Sequence, residues 1–198
     1  YMSRTSALGR KILKSVVRHF MNPSLMELFP EAIPPLGKMT QGLPTNWERL
    51  TEDFFTLKRD YTKGDAPTEY QLEVFGTEST ITGKHFTDQI YDDPINEETV
   101  RSPAQMEKAV EFIQHSVNLL VPGGNETYIG TPYHYADLIA HCICEKYFDH
   151  AYRRSIIENG KSIYPAVFTM AEIEKRKKRL GGYLFSCQMM CDPLPKED

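Results

Sequence analysis

The sequence predicts an α/β protein with a largely parallel sheet and flanking helices, and three observations carry that expectation. From residue 70 onward, short segments of strand character alternate with longer segments of helical periodicity, as strand–helix–strand units require. Ser102-Pro103 opens one of those helices with a cap and a first-turn proline, followed by Met106, Ala109, Val110, Ile113, Val117 and Leu120 as an apolar stripe. The chain has 198 residues, 40% hydrophobic and 25% charged, enough for one domain with a real core or one domain and part of another.

The elements come in this order. Residues 1–5 read as the end of a strand, and Ser6 as the N-cap of a helix carrying Leu8, Ile12, Leu13, Val16, Val17 and Phe20 on one face. Arg10, Lys11, Lys14 and Arg18 fall mostly on its other face, which reads as solvated or as a DNA contact. Asn22-Pro23 stops that helix, and residues 24–29 form another turn or two. The prolines and glycines of residues 30–46 predict a loop, with Trp47 anchoring its end rather than serving as a stacking platform. Strands are expected at Phe54–Lys58 and Tyr70–Phe75, with a turn at Lys63–Pro67 between them. A polar, glycine-bounded connection over residues 76–83 leads to a strand from Phe86 to Tyr91.

Pro122-Gly123-Gly124 is expected to end the long helix, and Thr127–Thr131 to form a short strand before a helix from Ala136 to Phe148. The last fifty residues differ in character. Arg153–Ile157 reads as a strand, and Ile163–Phe168 as a short segment interrupted by proline. Met170–Leu180 is a charged helix stopped by Gly181-Gly182, and Tyr183–Met190 is one more helix. The expected organisation is a core over residues 1–149 and a smaller linker segment over 150–198. Both ends read as cuts through a larger protein.

The net charge of -4 gives no global signal for nucleic acid, so any DNA contact must be local. No apolar run approaches the roughly 18 residues of a membrane span, and no signal peptide opens the chain, so a cytosolic protein is expected. The four cysteines, Cys142, Cys144, Cys187 and Cys191, lack the spacing of a structural zinc site. Cys142 and Cys144 lie in an apolar stretch and read as core.

Chemistry concentrates in two places. Asp92 and Asp93 come directly after the apolar strand ending Ile90-Tyr91. Beyond the carboxyl end of a parallel strand, where ligands of open sheets bind, two acids can divide the work of phosphoryl transfer. One holds magnesium through water and the other orients or deprotonates an attacking water. A solvated acidic turn is the alternative. Thr131 ends the next strand, where its hydroxyl would either reach a phosphate or bond its own backbone. His134 and Asp137 read as a helix cap and its partner, or as part of the site. Lys175-Arg176-Lys177-Lys178-Arg179 is the densest basic run, either a solvated helix or a contact for DNA phosphates.

The run from Ile81 to Pro94 resembles the Walker B region of phage and prophage terminase large subunits. Tyr128-Ile129-Gly130-Thr131-Pro132-Tyr133-His134-Tyr135-Ala136-Asp137-Leu138 resembles their coupling motif, a G-T-R-Y-H-x-x-D-L pattern. The helix after Met2-Ser3-Arg4-Thr5 and the Asn22–Pro30 stretch are similar to the segment that follows the family's phosphate loop, and Phe185–Pro195 to its F-x-x-Q-x-x-x-x-P ending before the nuclease. The resemblance thus runs through nearly the whole chain in order. It implies a P-loop ATPase-like core from the motor that pumps double-stranded DNA into a procapsid. ATP and magnesium would be its cofactors. Double-stranded DNA, the small terminase subunit and a portal protein would be its partners, with a homo-oligomeric ring in the intact motor and a place in the host cytoplasm and at the procapsid portal.

By resemblance, Asp92 is the magnesium-associated acid, Asp93 the catalytic carboxylate, and Thr131 a nucleotide-contacting residue that couples hydrolysis to movement. Pro132 stands where the family often has Arg, and Asp93 where Glu is commoner. No G-x-x-x-x-G-K-[ST] loop occurs in these residues, so the chain alone is expected to hydrolyse ATP negligibly. A noncatalytic α/β module and a helicase-like nucleoside triphosphatase are the competing classes.

Overall fold

Residues 1–5 are too few for a helix, and Met2–Ser3 forms strand β1. The structure, a computed structural model, describes residues 1–30, 33, 39–40, 43–44, 47–57 and 70–193. Thr5 rather than Ser6 caps the first helix, its side chain accepting from the Leu8 amide, so α1 spans Ser6–Phe20. Asn22 accepts from the Ser24 amide and caps α2 (Pro23–Leu28), with proline in the first turn as the sequence requires.

Two short strands, β2 (Met39–Thr40) and β3 (Leu43–Pro44), pair antiparallel within the expected loop. The turn expected at Lys63–Pro67 lies outside the described residues. Strands β4 (Trp47–Leu50), β5 (Phe54–Leu57) and β6 (Leu72–Glu73) form a three-stranded antiparallel sheet. The strand expected over residues 70–75 is split at Val74: β6 joins that sheet and β7 (Phe75–Gly76) joins another. Leu13, Trp47, Phe55, Leu57 and Val74 make the core here, and Val16, Val17 and Phe20 of α1 pack against it. Trp47 is 2% exposed, with its ring 5.2 Å from that of Phe55, so it packs in the core of this sheet, while most of the loop it is expected to anchor lies outside the described residues.

The larger sheet is four-stranded and parallel, in the order β7-β1-β8-β9, where β8 is Phe86–Asp92 and β9 is Leu120–Ile129. Met2 lies opposite Phe75 on one side and Tyr91 on the other; Ser3 lies opposite Gly76 and Asp92. The α/β expectation therefore holds at the level of a parallel sheet with flanking helices. Gly76 is required where it stands, because a Cβ there would meet the Ser6 backbone nitrogen at 2.3 Å.

A short helix that the sequence pattern does not signal, α3 (Glu97–Arg101), precedes the long one; Asn96 and Thr99 close a reciprocal capping box around its first turn. Helix α4 (Pro103–Ser116) starts at the Ser-Pro signal but stops earlier than expected. The Ser116 carbonyl accepts from Gln89 Nε2 at 3.0 Å instead of continuing the helical ladder. A 3₁₀ turn over Val117–Leu119 comes next, and Leu120 opens β9. Pro122-Gly123-Gly124 thus lies inside a ten-residue strand rather than in a turn. Glycine permits this, since a Cβ on Gly124 would sit 2.7 Å from the Thr87 carbonyl oxygen.

Helix α5 (Leu138–Cys144) is shorter than the expected span of residues 136–148. Asp137 caps its start. Lys146 takes φ 53 at its end while the Tyr147 amide bonds back to the Cys142 carbonyl at 2.9 Å. The strand expected over residues 153–157 reduces to β10 (Ile157–Glu158), paired with β11 (Lys161–Ser162). Asn159-Gly160, at φ 51 and 72, forms the two-residue turn that fits the twist of such a hairpin. Residues 163–168 carry no strand. Helix α6 (Met170–Met190) is two helices meeting at Gly181, which has φ 77 and ψ 167, as the Gly-Gly stop implies.

The chain divides into two compact units, Tyr1–Pro94 with His115–Glu126, and Ile95–Gln114 with Thr127–Asp198. Among the described residues no helix is long and apolar enough to cross a membrane.

Candidate functional site

Strand β8 puts alternate side chains on opposite faces of the sheet. Gln89 and Tyr91 take one face and are buried at 1% and 0% exposure. The Tyr91 hydroxyl lies 2.8 Å from Gln89 Oε1 and from Glu126 Oε1, and 2.7 Å from the Ser116 hydroxyl. This polar cluster ties β8 to β9 and to the end of α4. Buried polar groups hold a strand in place only when satisfied, and these are. The register of β8, and hence the position of its last residue, rests on it.

Asp92 is that last residue, half-buried, at the carboxyl end of a strand with parallel neighbours. Its Oδ2 accepts a hydrogen bond from the Tyr1 hydroxyl. Burial first, then that bond and the negative charge of Asp92 and Asp93, push the Tyr1 phenol well above its ordinary range, so it stays a donor. Asp93 is next, in the turn at φ 44 and exposed, in the left-handed region that Asp tolerates better than most residues. The two acids therefore diverge: one is held against the sheet and one stands in the solvent-facing turn.

Thr131 lies in the turn after β9, half-buried, and belongs to the second unit. That turn is fixed by Asp137, a carboxylate only 1% exposed. Asp137 Oδ2 accepts from the amides of Tyr133 at 2.7 Å and His134 at 3.2 Å, and Oδ1 accepts from the Ala140 amide at 3.1 Å. Three N–H donors satisfy a buried carboxylate, so Asp137 is a cap and clamp. His134 Nδ1 accepts from the Ala136 amide at 3.2 Å, completing the turn.

The basic run lies on the first half of α6, also in the second unit, and is exposed throughout. Arg176 pairs with Glu172 at 3.3 Å and lies over the Phe168 ring at 4.9 Å; Lys177 lies 5.8 Å over Phe185. Of the two cysteines expected in the core, Cys142 is buried and Cys144 is exposed; Cys187 is also buried.

The structure thus brings Asp92, Asp93 and Tyr1 together in one unit and places Thr131 and the basic run in the other. Two features have no signature in the sequence. Tyr1 carries no local signal, because parallel pairing of strands distant in sequence brings it to Asp92. Glu78 is likewise silent: its Oε1 accepts from the Ser6 amide at 2.8 Å, which puts a carboxylate on the N-terminus of α1. For magnesium, Asp92 is a fitting outer-sphere acceptor, since Tyr1 engages one carboxylate oxygen and a water bridge needs only one. For the phosphates of a nucleotide, the sequence supplies no glycine-rich cradle. No family model matches the chain, and no curated protein does.

Proposed function

We propose that this chain is part of the ATPase region of a phage-type terminase large subunit, the ATP-driven motor that moves double-stranded DNA into a procapsid. The observation that carries the reading is the acidic pair at the carboxyl end of β8, inside a parallel sheet, where nucleotide sites of open α/β folds form. The order of the acidic strand, the Thr131 turn and the Phe185–Pro195 ending adds support.

In this reading Asp92 holds magnesium through water, with its carboxylate oriented by the Tyr1 hydroxyl. Bound magnesium-ATP supplies the electrophilic phosphorus and neutralises the charge that develops on the phosphate oxygens. Asp93 orients the attacking water and takes its proton. Its side chain is one methylene shorter than the commoner Glu, so that water sits closer or is bridged. By the same resemblance Thr131, at the start of the turn clamped by Asp137, couples hydrolysis to movement. The small terminase subunit, a portal protein and a ring of identical subunits are implied by the same resemblance.

One observation favours a second reading, a noncatalytic α/β module. Asp92 already has a protein partner in Tyr1. The DNA encoding the residues before Tyr1 separates the two. An in-frame G-x-x-x-x-G-K-[ST] there, and magnesium-dependent ATP turnover by the polypeptide that includes it, lost on Asp93→Asn, is the expected result. The 198-residue chain alone should turn over ATP negligibly. Steady turnover by that chain, abolished by Asp93→Asn, would overturn the requirement for an upstream loop.

A further inference from the structure

The turn bearing Thr131 is gripped from two sides. Asp137 holds the Tyr133 and His134 amides from the α5 side. From the other side, the Tyr133 carbonyl accepts from the Tyr183 hydroxyl at 2.8 Å and faces the Cys187 thiol at 3.7 Å. Tyr183 and Cys187 are four residues apart on the second half of α6, so one helical face carries both donors. Both donors stay protonated at neutral pH. Burial raises the Tyr183 phenol, with the neighbouring Cys187, Asp137 and Glu97 acting in the same direction, and burial likewise raises the Cys187 thiol. Immediately before Tyr183 stand Gly181, at φ 77 and ψ 167, and Gly182; a Cβ at either would meet nothing within 4 Å. That break separates the exposed basic half of α6 from the half that touches the turn.

We propose that Tyr183 is a positioning residue for the turn over residues 130–137. Its hydrogen bond to the Tyr133 carbonyl makes the turn and the second half of α6 one mechanical piece, and Gly181-Gly182 is the joint at which the basic half of α6 is attached to it. The link itself needs no nucleotide. Its use in coupling Thr131 to DNA movement rests on the terminase reading.

Amide hydrogen exchange of the intact chain, resolved by residue by NMR, tests the link. Tyr183→Phe removes the hydroxyl and keeps the ring. It should speed exchange of the Tyr133 and His134 amides about tenfold, the factor one hydrogen bond commands. The amides of residues 109–112 in α4 should stay unchanged, because only local positioning is lost. Asp137→Asn, which weakens the direct acceptor, sets the scale at the same two amides. If Asp137→Asn speeds them and Tyr183→Phe leaves them within about twofold of the parent, the link is disproved. If Tyr183→Phe speeds exchange in α4 as well, Cys187→Ala decides. A rise confined to Tyr133 and His134 supports the link through the same carbonyl, and no rise overturns it. Neither variant is read through ATP, so failure here leaves the terminase reading to the turnover test, and failure there leaves this link standing.

Discussion

At the scale of single residues, Glu78 shows how an acid unremarkable in sequence acquires an energetic role. Burial by itself would raise its pKa, but the Ser6 backbone N–H, the Ser6 hydroxyl and the Arg10 charge outweigh it and the net shift is downward. Folding therefore favours the ionised form. The resulting stabilisation is complete above the ordinary glutamate value of 4.5 and is lost as pH falls through the lower folded-state value. Denaturation midpoints measured from pH 6 downward should show Glu78→Gln costing stability at pH 6. The gap should narrow below about pH 4 as the parent's own Glu78 protonates. A gap that is constant across the range would mean that Glu78 acts by shape and not by charge. The two site acids repeat the contrast between residue and surroundings. Asp92 and Asp93 are neighbours of the same chemistry, yet one is held by Tyr1 and the other turns outward at φ 44.

At the scale of elements, local signals and tertiary demands met with different results. Start signals are partly readable: Ser102-Pro103 opens a helix as expected, whereas Thr5 takes the capping role expected of Ser6, and Asn22, expected only to stop α1, caps α2. Lengths are not. The apolar stripe continuing through Val117 and Leu120 suggests a longer α4, yet Val117 is 48% exposed and Leu120 belongs to a strand. Gln89, on a different element, takes the Ser116 carbonyl that the next helical turn would have used. The same competition places Pro122-Gly123-Gly124 in β9, since the β8 edge rewards ladder formation and a turn there would not. In α6 the Gly-Gly break is legible because glycine at φ 77 and ψ 167 occupies a region closed to other residues. Gly181→Ala should accordingly cost about 1–3 kcal/mol in chemical denaturation. If stability instead rises together with helical circular dichroism, the break is dispensable and α6 prefers to be straight.

At the scale of the whole molecule, a formal charge of -4 coexists with an exposed five-residue basic run. If that run contacts double-stranded DNA, reversing the charges of Lys175, Lys178 and Arg179 should weaken binding uniformly across sequences. The plot of log affinity against log salt should become shallower by roughly 1 per lost phosphate contact. Arg176 is already engaged by Glu172 and Phe168 and should matter less. An unchanged affinity and salt slope would assign the run to solvation of the helix.

The sequence by itself determined that strands and helices alternate, where most helices begin, which face of α1 turns to the core, and that Asp92-Asp93 would close a strand. Each of these depends on chemistry within a few residues: side-chain period, cap geometry, the restricted φ of proline. Tertiary structure alone decided the strand order β7-β1-β8-β9, the splitting of the 70–75 segment between two sheets, and the burial of the Gln89–Tyr91–Ser116–Glu126 cluster. It also decided the contacts of Tyr1 with Asp92, Glu78 with Ser6, and Tyr183 with Tyr133. Those pairs are separated by 91, 72 and 50 residues. No local propensity encodes them, because each exists only once the sheet and helices have packed and brought the two residues together.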